Sequence, residues 1–198
     1  MKFFDLFCGI GGFRVGLERN GHKCIGSCEI NEQARATYAK NFGHEPEYTD
    51  ATKINPKELP DFDILAAGFP CQAFSIAGRQ GGFNDDRGNL FFEIARIARE
   101  KKPRYLFLEN VRNLLSHYDK DDPRQQKGDT FKTILRTLDD MGYDAEWFCV
   151  NSAMHVPQNR ERIFIIGHLR GRRTERIFPV GTGYTEPDET QGEAQSQG

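Results

Sequence analysis

Asp5-Leu6-Phe7-Cys8-Gly9-Ile10-Gly11-Gly12 joins a short apolar run to a helical pattern, and this junction decides the fold. Residues 2–7 are apolar and aromatic and end at glycines, which is typical of a buried strand entering a turn. Glycines between a strand and a helix let the backbone approach a ligand at the helix N-terminus. Many α/β proteins have such a turn. It is not the dinucleotide fingerprint, because Arg14 stands where a third glycine is expected.

The same alternation of strand and helix patterns continues along the chain. Sequential βα units predict an α/β fold with a mostly parallel sheet and helices on both faces. The predicted strands are residues 2–7, 24–29, 63–67, 105–108, 145–150 and 162–167. The predicted helices are residues 13–19, 31–41, 90–100 and 130–141, with Asn31 as the N-cap of the second.

The charge is unevenly distributed over the 198 residues. The net charge is −2, but residues 179–198 carry four acidic side chains and no basic one, so residues 1–178 have a charge of +2. The polar segment 179–198 has too few apolar groups to offset the entropy of ordering, and we expect it to be a disordered tail or a linker. With a net charge of only +2, residues 1–178 would bind nucleic acid only through a local basic face or with help from another polypeptide.

Cysteine usage and hydropathy indicate a cytoplasmic protein. The chain has five cysteines, an odd number without framework spacing, which is typical of free thiols in a reducing compartment. No apolar run reaches the length of a membrane span, and the acidic Asp5 argues against a signal peptide. Cys24 and Cys28 are too few for a closed zinc site, so we expect no metal.

Two acidic residues indicate a nucleoside cofactor near the glycine-rich turn. Glu29 ends the second predicted strand, where a carboxylate can accept both ribose hydroxyls. Asp50 is expected to end a further strand and to face an adenine. Each carboxylate could instead cap a helix or be a solvated loop charge. Together with the turn, they make three ligating groups at successive strand ends.

A second group of residues follows other predicted strands. Cys71 comes just after residues 63–67 and opens a glycine-rich stretch, residues 70–88, that we expect to be a mobile lid. A cysteine there is a nucleophile or a small buried side chain. Glu109 follows residues 105–108. Its pKa can be raised for proton donation, or it caps a helix or joins an ion pair. Arg160 and Arg162 can serve a carboxylate, a phosphate or a base carbonyl, or be solvated.

These motifs together resemble those of the C5-cytosine DNA methyltransferases of bacterial restriction-modification systems. The matching segments are residues 5–14, residues 68–75, Glu109-Asn110-Val111 and residues 158–162. Their order and spacing agree with the family across residues 2–167, and residues 67–102 are especially similar to one bacterial member. The resemblance implies a Rossmann-like, S-adenosylmethionine-dependent methyltransferase fold, with residues 1–178 as the catalytic and cofactor-binding domain.

The resemblance also implies a mechanism on double-stranded DNA. A cytosine is flipped out of the duplex, and the Cys71 thiolate adds to its C6 atom. Glu109 protonates or hydrogen-bonds N3, and Arg162 holds O2. Arg160 supports Cys71 or a nearby phosphate.

Binding residues are implied in the same way. Phe7 is expected to pack on the adenine of S-adenosylmethionine, Glu29 to bind the ribose and Asp50 the adenine amine. The remaining implied cofactor residues are Gly9, Gly11, Gly12, Ile30, Ala51 and Pro70. Gln72, Ser75 and Arg79 are expected to contact DNA, Gln72 in the space left by the flipped base and Ser75 at a phosphate.

The chain departs from the family after the arginine motif, where members continue with a target-recognition domain. Three interpretations follow: a split enzyme whose recognition domain is on a second polypeptide, a truncated product, or a non-catalytic subunit of a methyltransferase complex. The retained Cys71, Glu109, Arg160 and Arg162 argue against the third. An alternative substrate is cytosine in tRNA, which a eukaryotic-type branch of the family methylates. The target DNA sequence is not encoded in these residues.

Overall fold

The computed structural model describes residues 1–69, 90–118 and 126–178. The predictions for Pro70, Cys71, Gln72, Ser75 and Arg79, for the lid and for the tail 179–198 lie outside the described residues. The strands are β1 Lys2–Leu6, β2 Lys23–Cys28, β3 Ile64–Gly68, β4 Tyr105–Val111, β5 Tyr143–Asn151 and β6 Glu161–Leu169. The helices are α1 Gly12–Arg19, α2 Glu32–Phe42, α3 Leu90–Lys101 and α4 Asp129–Asp140.

The strands form one six-stranded sheet in the order β2-β1-β3-β4-β6-β5. Strands β1 to β4 pair in parallel, whereas β6 runs antiparallel between β4 and β5. The predicted mostly parallel sheet is confirmed. The exception is β6, because a short turn rather than a helical crossover connects it to β5.

Both faces of the sheet are covered by helices, as predicted. On one face Leu17 of α1 packs with Phe3 and Ile64, and on the other Ile94 of α3 and Ile134 of α4 join the larger core. Alternate residues of a strand point to opposite faces, so β1 contributes to both cores. Within the described ranges, no helix combines the length and the apolar content needed to cross a membrane.

Helix α2 begins and ends as its sequence dictates. The Oδ1 atom of Asn31 accepts a hydrogen bond from the backbone N–H of Ala34 at 2.9 Å, which confirms the predicted N-cap. The helix ends at Gly43, whose φ of 80° lies in the left-handed region that favours glycine.

The strand predicted to end at Asp50 is wrong. The chain there makes only a single parallel bridge, between Tyr48 and Cys28. Asp50 instead caps a short 3-10 turn, Ala51–Lys53, by accepting a hydrogen bond from the backbone N–H of Thr52. The local side-chain bond offers the backbone a turn in place of a sheet ladder.

The topology brings the predicted site residues to one edge of the sheet. Parallel strands β1 to β4 all end at this edge, where Gly68 lies opposite Glu109. Strand β6 begins at the same edge because it runs the other way, and Arg162 lies opposite Val111. The carboxyl edge of the sheet therefore carries both the glycine-rich turn and the acid and arginine motifs.

Candidate active site

Glu109 and Arg162 form a direct ion pair at the carboxyl edge. The Nε atom of Arg162 lies 2.7 Å from Oε1 of Glu109, and the two side chains are 20% and 23% exposed. The Nη1 atom of Arg162 also donates to the backbone carbonyl of Glu161 at 2.7 Å. The predicted proximity of these two residues is confirmed, and the ion pair considered for Glu109 is made with the other candidate residue.

Sheet register explains why these two side chains meet. Glu109 lies opposite Phe164 and Val111 opposite Arg162, so Arg162 is the diagonal neighbour of Glu109 on the same face of the antiparallel pair. On the other side, a Cβ atom at Gly68 would come within 3.3 Å of Oε2 of Glu109. The absence of a side chain at position 68 therefore leaves room for the carboxylate.

The chain leading to Cys71 is fastened to β4 beside this pair. The backbone N–H of Phe69 donates to the carbonyl of Glu109 at 3.3 Å, and Nδ2 of Asn110 donates to the carbonyl of Phe69 at 2.8 Å. Oδ1 of Asn110 accepts from the N–H of Val111, so this buried amide is bonded on both sides. No role for Asn110 was predicted from the sequence, although an amide directly after an apolar strand is a usable signal.

Arg160 and Glu161 lie at the start of β6 in different surroundings. Arg160 is exposed, and its backbone accepts from the N–H of Ser152 at 3.0 Å and donates to Oδ1 of Asn151 at 3.2 Å. The Glu161 carboxylate pairs at 3.0 Å with Arg112, which lies in the 3-10 turn after β4. The structure thus places Arg162 in the ion pair with Glu109 and leaves the side chain of Arg160 facing solvent.

The glycine-rich turn is tied to the end of β2. The backbone N–H of Gly9 donates to Oε2 of Glu29 at 2.9 Å, and the N–H of Asn31 donates to Oε1 at 2.7 Å. Gly9 and Gly11 have φ values of 55° and 95°, a region that favours glycine. Glu29, which is predicted to bind the ribose, thus lies directly beside this turn.

The same turn has open, apolar surroundings. Among the described residues, apart from chain neighbours and the backbone of α1 itself, no heavy atom lies within 4 Å of a Cβ built at Gly9 or Gly12. Ile10 is 58% and Ile30 71% exposed, although both are aliphatic. Phe7 has a φ of 59°, which is a strained value for a residue with a side chain and is found mostly where function requires it. The turn therefore presents free space and uncovered apolar surface to a ligand.

Asp5 is a buried carboxyl at the base of the turn, and no role of its own was predicted for it from the sequence. Neither of its oxygens has a hydrogen-bond partner among the described residues. Burial raises the pKa of Asp5 to about 8, against the opposing effect of Arg14, while the charge of Glu29 adds to the rise. A buried carboxyl without such a partner is unusual and marks the base of the turn as a candidate ligand-binding position.

Asp50 and Ala51 already make hydrogen bonds to neighbouring protein groups. Oδ1 of Asp50 accepts from the hydroxyl and the N–H of Thr52 at 2.7 and 3.0 Å, and the hydroxyl bond is the main cause of its lowered pKa. Ala51 is buried, and its carbonyl accepts from Arg96 at 2.9 Å. An adenine contact by Asp50 would therefore come from a turn rather than from a strand end.

Comparisons with known proteins agree with this arrangement. The family model described as C-5 cytosine-specific DNA methylase matches residues 1–196. The type II methyltransferase M.HhaI of Haemophilus parahaemolyticus is 47% identical over 167 residues, which are 84% of this chain and 48% of M.HhaI. M.HpaII of Haemophilus parainfluenzae is 52% identical over 170 residues, which are 83% of this chain and 45% of that protein.

Solved structures share the fold at lower identity. The Dnmt2 methyltransferase of S. pombe superposes with a TM-score of 0.68 at 20% identity and covers 88% of this chain and 53% of its own. A DNMT2 mutant of Spodoptera frugiperda has a TM-score of 0.64 at 20% identity, covering 93% of this chain and 56% of its own. The chain spans about half the length of the curated relatives it matches. Because the family model matches nearly every residue, this chain belongs to the C-5 cytosine-specific DNA methylase family.

Proposed function

We propose that this chain carries the catalytic part of a C5-cytosine DNA methyltransferase that uses S-adenosylmethionine within a restriction-modification system. The observation that carries the proposal is the 2.7 Å ion pair between Glu109 and Arg162 next to the anchored Phe69. Two peptide units separate Phe69 from Cys71, so connectivity alone limits the distance between their Cα atoms to about 7.6 Å.

The ion pair suits recognition of a flipped cytosine. N3 and the carbonyl oxygen O2 are neighbours on one edge of the base, so a carboxyl and a guanidinium held side by side can bind both. Glu109 in its protonated form donates a proton or a hydrogen bond to N3, which makes C6 electrophilic, and Arg162 donates to O2. Arg160, exposed at the same edge, supports the Cys71 thiolate or a phosphate.

The reaction proceeds through a covalent adduct between Cys71 and the cytosine. The Cys71 thiolate forms a bond from Sγ to C6, and the electron pair displaced to C5 makes that carbon nucleophilic. S-adenosylmethionine supplies the methyl group that C5 takes, and S-adenosylhomocysteine leaves. The C5 proton then leaves to a solvent base, the Sγ–C6 bond breaks, the proton on N3 returns to Glu109, and the aromatic ring and the thiolate are restored.

The residues at the glycine-rich turn fit this cofactor. Glu29 keeps acceptor capacity for ribose hydroxyls because each of its oxygens accepts only one backbone bond among the described residues. Phe7 and the exposed Ile30 offer apolar surface for the adenine. The other assigned residues are Gly9, Gly11, Gly12, Asp50, Ala51 and Pro70.

Double-stranded DNA and a second polypeptide are the proposed partners. Gln72, Ser75 and Arg79 are assigned to DNA contacts, and they lie outside the described residues. The body of the chain has a charge of only +2, and the matched relatives are about twice as long. A separate polypeptide with a target-recognition domain would supply the remaining DNA contacts. Cytoplasmic location suits the reduced thiol that Cys71 requires.

The test uses DNA in which the target cytosine carries fluorine at C5. Fluorine cannot leave as a proton, so the adduct between Cys71 and C6 is trapped after methyl transfer and is detected by mass spectrometry. The chain is incubated with this DNA and S-adenosylmethionine, alone and with a polypeptide comprising the part of M.HhaI that it does not match. Cys71→Ser is the control.

Each outcome decides between the interpretations. An adduct at Cys71 that needs the second polypeptide supports a split enzyme, and an adduct formed alone overturns the need for a partner. No adduct in either mixture, with DNA still bound, favours a non-catalytic subunit. A parallel assay of methyl transfer to unmodified tRNA tests the alternative substrate, and preference for tRNA over duplex DNA would overturn the proposed one.

A further inference from the structure

The last turn of α2 lies across the outer side of the glycine-rich turn. Nδ2 of Asn41 donates to the backbone carbonyl of Ile10 at 3.0 Å, across 31 residues of sequence. Ile10 is the central residue between Gly9 and Gly11. A side chain from another helix therefore restrains the backbone of this turn directly.

Phe42 holds the next residue of the turn in place. A Cβ atom built at Gly11 would lie 2.2 Å from Cε2 of Phe42, so the ring occupies the space that any side chain at position 11 would need. Gly11 has a φ of 95° and precedes α1 directly. The close approach of this ring and the positive φ together require glycine there.

Arg14 closes the contact from the side of α1. Its Nη1 atom donates to the hydroxyl of Tyr38 at 2.7 Å, and its guanidinium carbon lies 4.3 Å from the ring centroid of Phe42. This distance is well within the range of a cation–π interaction. Arg14 stands where a dinucleotide-binding turn has its third glycine, and here it connects α1 to α2.

The two sides of the turn thus have different partners. Glu29 and the end of β2 hold the side where Gly9 faces open space, and Asn41, Phe42 and Arg14 hold the outer side. A turn that is ordered before binding loses less conformational entropy when a ligand arrives, and affinity rises accordingly.

We propose that Asn41, Phe42 and Arg14 are positioning residues that keep the glycine-rich turn in its ligand-binding shape. The importance of this shape for S-adenosylmethionine rests on the proposed function. The ordering itself does not, because it is a property of the free protein.

Hydrogen exchange of the Gly11 amide in the free protein tests the ordering. This N–H donates to the carbonyl of Cys8 at 2.8 Å and so reports opening of the turn. Asn41→Ala is compared with Asn20→Ala, which removes a similar bond, from Nδ2 of Asn20 to the carbonyl of Gly16 at 2.9 Å, at the far end of α1.

Hydrogen exchange at the Gly11 amide is expected to be about fivefold faster in Asn41→Ala, because one hydrogen bond to the turn is lost. In Asn20→Ala the rate is expected to stay within about twofold of the wild-type rate. The amide of Leu65, in the central strand β3, serves as the reporter of global unfolding. An unchanged Gly11 rate in Asn41→Ala, or an equal acceleration in Asn20→Ala or at Leu65, would overturn the proposal.

Calorimetric titration of wild type, Asn41→Ala and Asn20→Ala with S-adenosylmethionine tests the cofactor assignment separately from the positioning role. Asn41→Ala is expected to raise the Kd about fivefold and Asn20→Ala to leave it unchanged. If the wild-type protein binds no S-adenosylmethionine, the cofactor assignment fails, while the exchange rates still decide the positioning role.

Discussion

The side chain of Arg162, at the start of β6, reaches the carboxylate of Glu109, near the end of β4, at 2.7 Å. The pair exists because β6 runs antiparallel to β4 and begins where β4 ends. A sheet with β6 parallel would carry Arg162 at the opposite edge. The reversed strand is therefore the feature of the fold that brings an acid and a guanidinium together.

A double-mutant cycle on this pair is the first prediction. Glu109→Gln and Arg162→Met should each lower the free energy of unfolding by about 1–2 kcal/mol, because each leaves a half-buried charge without its partner. The coupling energy should be about 1 kcal/mol, since the side chains retain some contact with solvent. Urea denaturation measures all four proteins.

The control for this cycle is the neighbouring pair Arg112 and Glu161. These side chains are more exposed, at 33% and 40%, so their coupling should be smaller. Equal coupling energies in the two cycles would contradict the prediction. In methyl-transfer assays, Glu109→Gln should lower the rate by about 10²–10⁴ if Glu109 is the acid.

The second prediction concerns Asn110. Asn110→Ala removes the bond to the carbonyl of Phe69 and leaves that acceptor without this partner, so unfolding should become easier by about 2 kcal/mol. Exchange of the Phe69 amide, which bonds to the carbonyl of Glu109, should also accelerate. Asn113→Ala, at an exposed position three residues later, should change stability by less than about 0.5 kcal/mol. Similar losses in the two variants would show that Asn110 has no special role.

Much of this arrangement could be predicted from local sequence. Glycines after residues 2–7 and the cap at Asn31 give strong local signals, and strands that alternate with helices restrict the topology. The direction of β6 was also accessible, because the segment between the two predicted strands, residues 151–161, is short and has no predicted α-helix. A parallel connection requires a dozen or more residues.

Other features depend on contacts that no local pattern encodes. Asp50 follows a bridge to β2, but its bond to Thr52 turns the chain, and the choice between turn and strand is settled by this competition. The sequence does not distinguish Arg160 from Arg162 as the partner of Glu109. In the structure the backbone of Arg160 is hydrogen-bonded to Asn151 and Ser152 at the end of β5. The contacts of Asn41 and Phe42 with the glycine-rich turn join two helices.

The buried Asp5 gives a prediction about pH. Its pKa is about 8 in the folded protein and has the ordinary value of 3.8 when exposed. Between these values the unfolded chain loses the proton while the folded protein keeps it, so the folded state binds more protons. The free energy of unfolding should therefore fall as pH rises from about 4 to 8, by up to about 1.4 kcal/mol per pH unit.

Comparison of variants isolates this contribution. Asp5→Asn cannot titrate, so the wild type should lose stability relative to Asp5→Asn between pH 4.5 and 8.5 in urea titrations. Asp50→Asn should show no such trend there, because the pKa of Asp50 is lowered and its contribution is lost only as pH falls below its ordinary range. A constant difference between wild type and Asp5→Asn would contradict the raised pKa.

Substitution of the two glycines with positive φ should separate stability from ligand affinity. Gly11→Ala places a methyl group against Phe42 at a φ of 95° and should lower the free energy of unfolding by about 3 kcal/mol or more. Gly9→Ala, at a φ of 55°, meets no heavy atom within 4 Å among the described residues apart from its chain neighbours, and it should cost only about 1 kcal/mol.

The methyl group of Gly9→Ala, however, points into the space assigned to the cofactor. Its affinity for S-adenosylmethionine should therefore fall by more than its small loss of stability implies, and titration calorimetry beside urea denaturation would reveal this. Equal stability losses in Gly9→Ala and Gly11→Ala would show that Phe42 yields to a new side chain. Unchanged affinity in a folded Gly9→Ala would show that the ligand lies elsewhere, since a ligand packed against Gly9 would meet the added methyl group.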